Sequence, residues 1–248
     1  MSLEIYNTMS RTKETFKSQE PGKVKMYVCG PTVYDYIHIG NARPAIFFDV
    51  VRRYLEAVGY EVNYVVNFTD VDDKTIRGAQ AAGQTLTAFT QQWTDKFHQD
   101  CRALGLLPPH VEPSAVAHIP QQVAMIKALV DRGHAYVAKD GSVYFKVCTC
   151  HDYGKLTHLD FSKLETQGTN SAGEANDADE YERESASDFA LWKARKPEDG
   201  ANFWPSPWGE GRPGWHIECS AMSLEHLGAT FDLHGGGIDL CFPHHENE

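Results

Sequence analysis

His38, Gly40 and Asn41 stand at the entry to an apolar helical segment, where unpaired backbone donors and the positive end of the helix dipole attract phosphate. The same residue types also make an ordinary helix cap. Cys148-Thr149-Cys150-His151 crowds three potential metal ligands into four residues. It reads as the end of a hairpin strand, where successive side chains alternate faces, and no second ligand pair lies nearby, so it is set aside as a metal site. Asp70, Asp72 and Asp73 could gather Mg²⁺, but at the start of a helix they more simply serve as caps and first-turn acids. Taken singly, Cys101 reads as helix core, Cys219 as a small buried hydrophobe and Cys29 as a strand-end packing residue.

These residues must be positioned by the elements around them. Lys25 to Asn41 reads as strand, loop and helix, with Gly30-Pro31 ending the strand and a helix over Ala42 to Val58 closed by Gly59. A second strand over Val62 to Phe68 completes a β-α-β unit and hence a parallel sheet. Ligands of such sheets sit beyond the carboxyl ends of the strands, where the loop carries Cys29, Thr32, His38, Gly40 and Asn41. Residues before Val24 read as a polar arm on that sheet. Helices are predicted over Asp72 to Ala82, Thr87 to Leu104, Pro120 to Arg132 and His216 to Leu227, and a strand over Thr230 to Leu233. Asp140-Gly141 marks a hairpin between Ala135–Val137 and Ser142–Val147, and the acidic, polar stretch 166–187 reads as a mobile surface loop.

A chain of 248 residues that is 42% hydrophobic can bury a substantial core in one or two domains. It has no apolar run of membrane-spanning length and no secretory signal at its N-terminus, so a cytoplasmic protein without a membrane partner is expected. Its six scattered cysteines fit thiols or metal ligands better than disulfides. The net charge of −11 argues against broad, non-specific affinity for nucleic acid.

His38-Ile39-Gly40-Asn41 resembles the HIGH signature of class I aminoacyl-tRNA synthetases. Its flanks, Cys29-Gly30-Pro31-Thr32-Val33-Tyr34-Asp35 and Asn67-Phe68-Thr69-Asp70-Val71-Asp72-Asp73-Lys74, resemble the cysteinyl-tRNA synthetase family, as do Gly214 to Met222, His234 to Asp239 and Phe242 to Glu248. Long matches such as these, in the family's order, are specific where a HIGH-like tetrapeptide alone is weak. The resemblance implies a catalytic role for His38, Asn41 and Thr32, and an ATP site of Gly30, Pro31, Thr32, His38, Gly40, Asn41, Gly237 and Asp239. It implies a cysteine pocket of Cys29, Thr69, Trp215, Asp239 and His244. One Zn²⁺ per chain would be held by Cys29, Cys219, His244 and Glu248, with Mg²⁺ accompanying ATP. Asn41 stands where the signature ends in His, and an amide donates a hydrogen bond without carrying positive charge. Without the resemblance, Gly237 and Asp239 read as a Gly-rich turn.

The implied fold class is α/β, a Rossmann-type parallel sheet of the class I synthetase kind interrupted by an inserted α+β connective-peptide module. Residues 1–115 and 206–248 would be two parts of the catalytic domain and 116–205 the insertion. The implied activity is ATP-dependent activation of cysteine to cysteinyl-adenylate and its transfer to tRNA(Cys), by a monomer whose partners are cysteine, ATP and tRNA. The sequence ends at Glu248, before any KMSKS-like loop or anticodon-binding domain. It is therefore expected to be an N-terminal catalytic part that binds its small ligands but forms the adenylate more slowly than a longer form. Two other readings share many of these residues: a zinc-dependent ligase joining cysteine to an amino-sugar, and a non-catalytic zinc- and cysteine-binding module. Val33-Tyr34 and the stretch from Asn67 to Lys74 are nearer the synthetase.

Overall fold

A computed structural model describes residues 3–159 and 187–248, and the expected loop at 166–187 lies outside them except for its last residue. The described chain divides into two compact units. The first comprises Thr15–Gln121 and Glu218–Leu240, and the second Leu3–Glu14, Gln122–Ile217 and Cys241–Glu248.

The first unit is built on three parallel strands: β3 (Lys23–Val28), β4 (Glu61–Val66) and β10 (Leu233–Gly235), in the order β10-β3-β4. The register pairs Met26 with Tyr64 and Val28 with both Val66 and Gly235. Val24, Met26, Tyr27 and Val28 are all buried, as the near-continuous apolar run of a strand covered on both faces requires. Helix α1 (Ile39–Ala57) joins β3 to β4 and turns Ala42, Asp49, Arg52 and Leu55 inward. Its two buried charges are satisfied: Asp49 accepts from Arg53 Nε at 2.7 Å and from Leu107 N at 3.0 Å, while Arg52 donates to Glu56 at 2.8 Å and to Pro108 O at 2.6 Å. Helices α2 (Asp73–Ala81) and α3 (Leu86–Ala103) follow β4.

Three expectations are corrected here. Helix α1 begins at Ile39, one turn before Ala42, because His38 caps it. β4 ends at Val66 and not at Phe68, since the next backbone donors go elsewhere, Phe68 N to Pro113 O at 2.8 Å and Thr69 N to Pro31 O at 3.1 Å. The last parallel strand starts only at Leu233. Just before it, Asp232 spends its carboxylate on Gln19 N at 2.6 Å and Lys25 N at 2.7 Å.

The second unit holds a five-stranded antiparallel sheet in the order β5-β6-β7-β9-β8. Its strands are β5 (Ala135–Val137), β6 (Val143–Phe145), β7 (Phe189–Ala194), β8 (Trp204–Ser206) and β9 (Gly209–Pro213). The β5–β6 hairpin turns at Asp140-Gly141 as predicted, with Asp140 accepting from Ser142 N at 2.9 Å. The β8–β9 hairpin escapes the sequence reading because Pro205, Pro207 and Pro213 are poor strand formers, tolerated here with Pro205 on an edge strand. The polar residues near the N-terminus form their own two-stranded sheet, β1 (Glu4–Asn7) with β2 (Thr12–Thr15). They are not an arm on the parallel sheet: residues 3–14 belong to the second unit, where Arg11 donates to Thr157 O at 3.2 Å and His158 bonds Met9 O at 2.7 Å. The chain passes between units inside two helices, α4 (Ile119–Asp131) and α5 (Trp215–Leu227).

Candidate functional site

In the first unit the loops after β3 and β4 are joined to one another. Thr32 and the buried Thr69 form a parallel bridge, reinforced by Val33 N to Thr69 O at 3.2 Å. Cys29 N donates to Gly235 O at 2.9 Å, and Gly30 N to Asn67 Oδ1 at 3.0 Å. This loop meets Cys219 on α5, whose Sγ lies 3.7 Å from Cys29 Sγ and is fully buried. Neither cysteine is in a disulfide. Two thiolates bound to tetrahedral zinc at ~2.3 Å stand roughly 3.8 Å apart, so the pair is spaced as such a site requires.

At the start of α1, His38 Nδ1 accepts from Gly40 N at 3.1 Å and Asn41 Oδ1 accepts from His38 N at 3.3 Å, a reciprocal cap. With Nδ1 accepting, a neutral ring carries its proton on Nε2. The cap uses Nδ1 and Oδ1, so the ring Nε2–H and the Asn41 Nδ2–H remain as exposed donors beside an open helix N-terminus. The cap therefore does not consume the donors that an anion at this helix start would meet. Beyond β10, the Asp239 carboxylate folds back on Gly237, where an added Cβ would stand 2.4 Å from Asp239 Oδ1.

In the second unit Trp215, His216, His244 and Glu248 come together. The Trp215 ring stacks on His244 with centroids 4.1 Å apart and planes 17° apart. Glu248 N donates to His244 O at 3.1 Å, and this turn sets Glu248 Oε1 2.8 Å from His244 Nε2. His244 Nδ1 lies 2.9 Å from His216 Nδ1. Burial, and then the nearby His244, lowers the His216 pKa to about 3, so the ring stays neutral and shares a hydrogen bond with His244. Sequence reasoning missed His216; its place beside Trp215 at a helix start was the available signal. It also missed Glu246, which accepts from Gly154 N at 2.7 Å and from Thr157 N at 2.8 Å, tying the 152–158 turns to the segment bearing His244.

Among the described residues Cys148, Cys150 and His151 join no group of three metal-ligand atoms. Their motif is not a strand end: β6 stops at Phe145 and Val147–Thr149 is a 3-10 turn. Asp72 caps α2 through Lys74 N at 2.8 Å and Asp73 sits in its first turn. Asp70 accepts from Val116 N at 2.9 Å, and burial pushes its carboxyl above the usual range.

The fold is shared with solved tRNA synthetases. Methionyl-tRNA synthetase of Mycobacterium tuberculosis, solved with methionyl-adenylate, matches 88% of this chain and 52% of its own at 14% identity and a TM-score of 0.62. An arginyl-tRNA synthetase of Campylobacter jejuni matches 94% and 51% at 11% identity and a TM-score of 0.55. This is the class I synthetase architecture, mixed α/β with a Rossmann-type parallel sheet and a separate antiparallel sheet. The family model of the class I (C) tRNA synthetase catalytic domain matches residues 15–248, and the chain belongs to that family. Curated relatives are cysteine–tRNA ligases. That of Opitutus terrae is 53% identical over 100% of this chain and 55% of its own length, and that of Alkalilimnicola ehrlichii 54% identical over 99% and 51%. The chain thus spans about half the length of the curated relatives it matches. No helix among the described residues is long and apolar enough to cross a membrane.

Proposed function

We propose that the chain is the catalytic portion of a cysteine–tRNA ligase, which activates cysteine with ATP and passes the cysteinyl group to the terminal ribose of tRNA(Cys). What carries the reading is identity above half to cysteine–tRNA ligases along essentially the whole chain. In the first step the cysteine carboxylate oxygen attacks the α-phosphorus of ATP and pyrophosphate leaves. In the second a ribose hydroxyl displaces AMP from the adenylate. The protein's part is positioning and charge stabilisation. His38 Nε2–H, Asn41 Nδ2–H and the backbone donors of α1 meet the phosphates of Mg²⁺-ATP, with Thr32 and the Gly30-Pro31 turn lining the same crevice. Gly237 and Asp239 hold the ribose. Thr69, Trp215 and Asp239 line the cysteine pocket.

Cys29, Cys219, His244 and Glu248 would hold one zinc ion. The donor chemistry fits: two thiols at tetrahedral spacing, and an imidazole with a carboxylate four residues on. Bound zinc supplies a soft cationic contact that a thiolate satisfies and an alcohol does not. Residues 116–205 would be the inserted module. A monomer acting in the cytoplasm completes the reading.

The test is cysteine-dependent ATP–pyrophosphate exchange, followed by charging of bulk tRNA, with an amino-sugar acceptor in parallel. Exchange with cysteine alone among the amino acids, and charging of tRNA only, is the expected result. Transfer to the amino-sugar would replace the proposal with the related ligase, and zinc and cysteine binding without exchange would leave only a binding module.

A further inference from the structure

Asn67, the first residue beyond β4, is wholly buried. Its side-chain oxygen accepts from Gly30 N at 3.0 Å and lies 3.8 Å from Cys219 Sγ. One carboxamide therefore touches both the peptide that follows Cys29 and the sulfur of Cys219. Its orientation is dictated, because a backbone N–H can only donate and so the oxygen must face Gly30. Gly30 and Asn67 are also packed backbone to backbone, since a Cβ on Gly30 would stand 1.7 Å from Asn67 O.

A buried amide is expensive unless its polar atoms are used, and here Nδ2 has no hydrogen-bond partner among the described residues. An apolar residue of similar volume would bury at lower cost and would extend the run of β4. What it could not do is accept from Gly30 N. Cys29 is anchored on its other side by its own N–H, which donates to Gly235 O at 2.9 Å. With the peptides before and after it both held, the remaining freedom of Cys29 is the rotation of its side chain.

We infer that Asn67 is the positioning residue of the thiol pair: its side-chain oxygen fixes the Cys29–Gly30 peptide and so keeps Cys29 Sγ at metal-binding distance from Cys219 Sγ. It acts through the two cysteines and is not itself a ligand. The inference rests on reading Cys29 and Cys219 as zinc ligands, which Cys219→Ser tests separately.

The experiment uses the whole chain with Asn67→Leu and Asn67→Asp, each first checked for a cooperative melt without metal. Zinc affinity is read by competition with a chromophoric chelator, and ligand geometry by the absorption spectrum of the Co²⁺-substituted protein. Leu removes the acceptor, and zinc affinity should fall by about 10- to 100-fold, as when the partners that orient metal ligands are lost, with a weakened tetrahedral Co²⁺ signature. Asp keeps an oxygen facing Gly30 N and should retain most of the affinity and the native spectrum. Asn67→Ala carries the same expectation as Leu and replaces it if the Leu variant does not melt cooperatively. A folded Leu or Ala variant with unchanged zinc affinity and Co²⁺ spectrum would overturn the inference. If Cys219→Ser itself keeps stoichiometric zinc, the zinc reading fails; if it loses zinc while Asn67→Leu does not, only the role of Asn67 fails.

Discussion

Gly30 and Cys219 show at the scale of single residues how little latitude the crevice leaves. A methyl group on Gly30 would meet the carbonyl oxygen of Asn67, a backbone atom that no rotamer change can move away. Gly30→Ala should therefore cost about 1–3 kcal/mol or more, as overpacking of a closed site does, and should lower the melting temperature accordingly. Cys219 is fully buried with its sulfur against that of Cys29. Cys219→Ser is close in size, so the fold should survive while stoichiometric zinc and cysteine binding disappear together. Elemental analysis and calorimetry check this, and zinc retained at one per chain would contradict it.

At the scale of elements, the start of α1 has a capping role and a proposed phosphate-binding role that substitution can separate. Asn is a good N-cap, so His38→Asn should keep the helix and leave the melting temperature near wild type. It removes the ring Nε2–H, and exchange should fall by roughly 10² to 10³, the usual cost of one preorganised donor. Equal loss of stability and rate would mean that His38 is a cap and nothing more. A second contact links the 3-10 turn just before α4 to the end of α5. His118 Nδ1 donates to Ser114 O at 2.8 Å, so its Nε2 accepts from His226 Nε2–H at 2.9 Å. Burial, and then His118, holds the His226 pKa below its ordinary 6.5. Below that pH the unfolded chain takes up a proton that the folded chain resists, so this contribution to stability is present above pH 6.5 and is lost as pH falls through it. His226→Gln should flatten the dependence of melting temperature on pH in that window, and an unchanged slope would show that the pair does not titrate with folding.

At the scale of the whole molecule, the proposed zinc ion ties stability to metal supply. A ligand that binds only the folded protein stabilises it by mass action, so chelation should lower the melting temperature of the chain. Cys219→Ser should melt like the chelated wild type and respond little to added chelator. Serine should bind far more weakly than cysteine, because a thiolate forms readily near neutral pH and an alkoxide does not; comparable affinities in a titration would refute the zinc-based discrimination.

Much of this protein is legible in its residue order, and the reason is local. The apolar period of α1, the Asp140-Gly141 hairpin and the Asp72 cap of α2 depend on neighbours a few residues away, so pattern alone identifies them. Element ends were less legible, because they are decided by distant partners: β4 stops where Pro31 and Pro113 take its next amides, and β10 starts late because Asp232 holds the backbone of Lys25 and Gln19. The proline-rich β8–β9 hairpin was invisible for a related reason, since only its pairing with β7 makes strands of such residues. The side chains around the site were the least legible. Nothing in the neighbourhood of Asn67 marks it as more than a polar residue ending a strand, and nothing beside Cys219 points to a residue 190 positions earlier. Their meaning comes from the parallel sheet, which sets the loops after β3 and β4 side by side and brings α5 against them, a long-range juxtaposition that no local sequence pattern encodes.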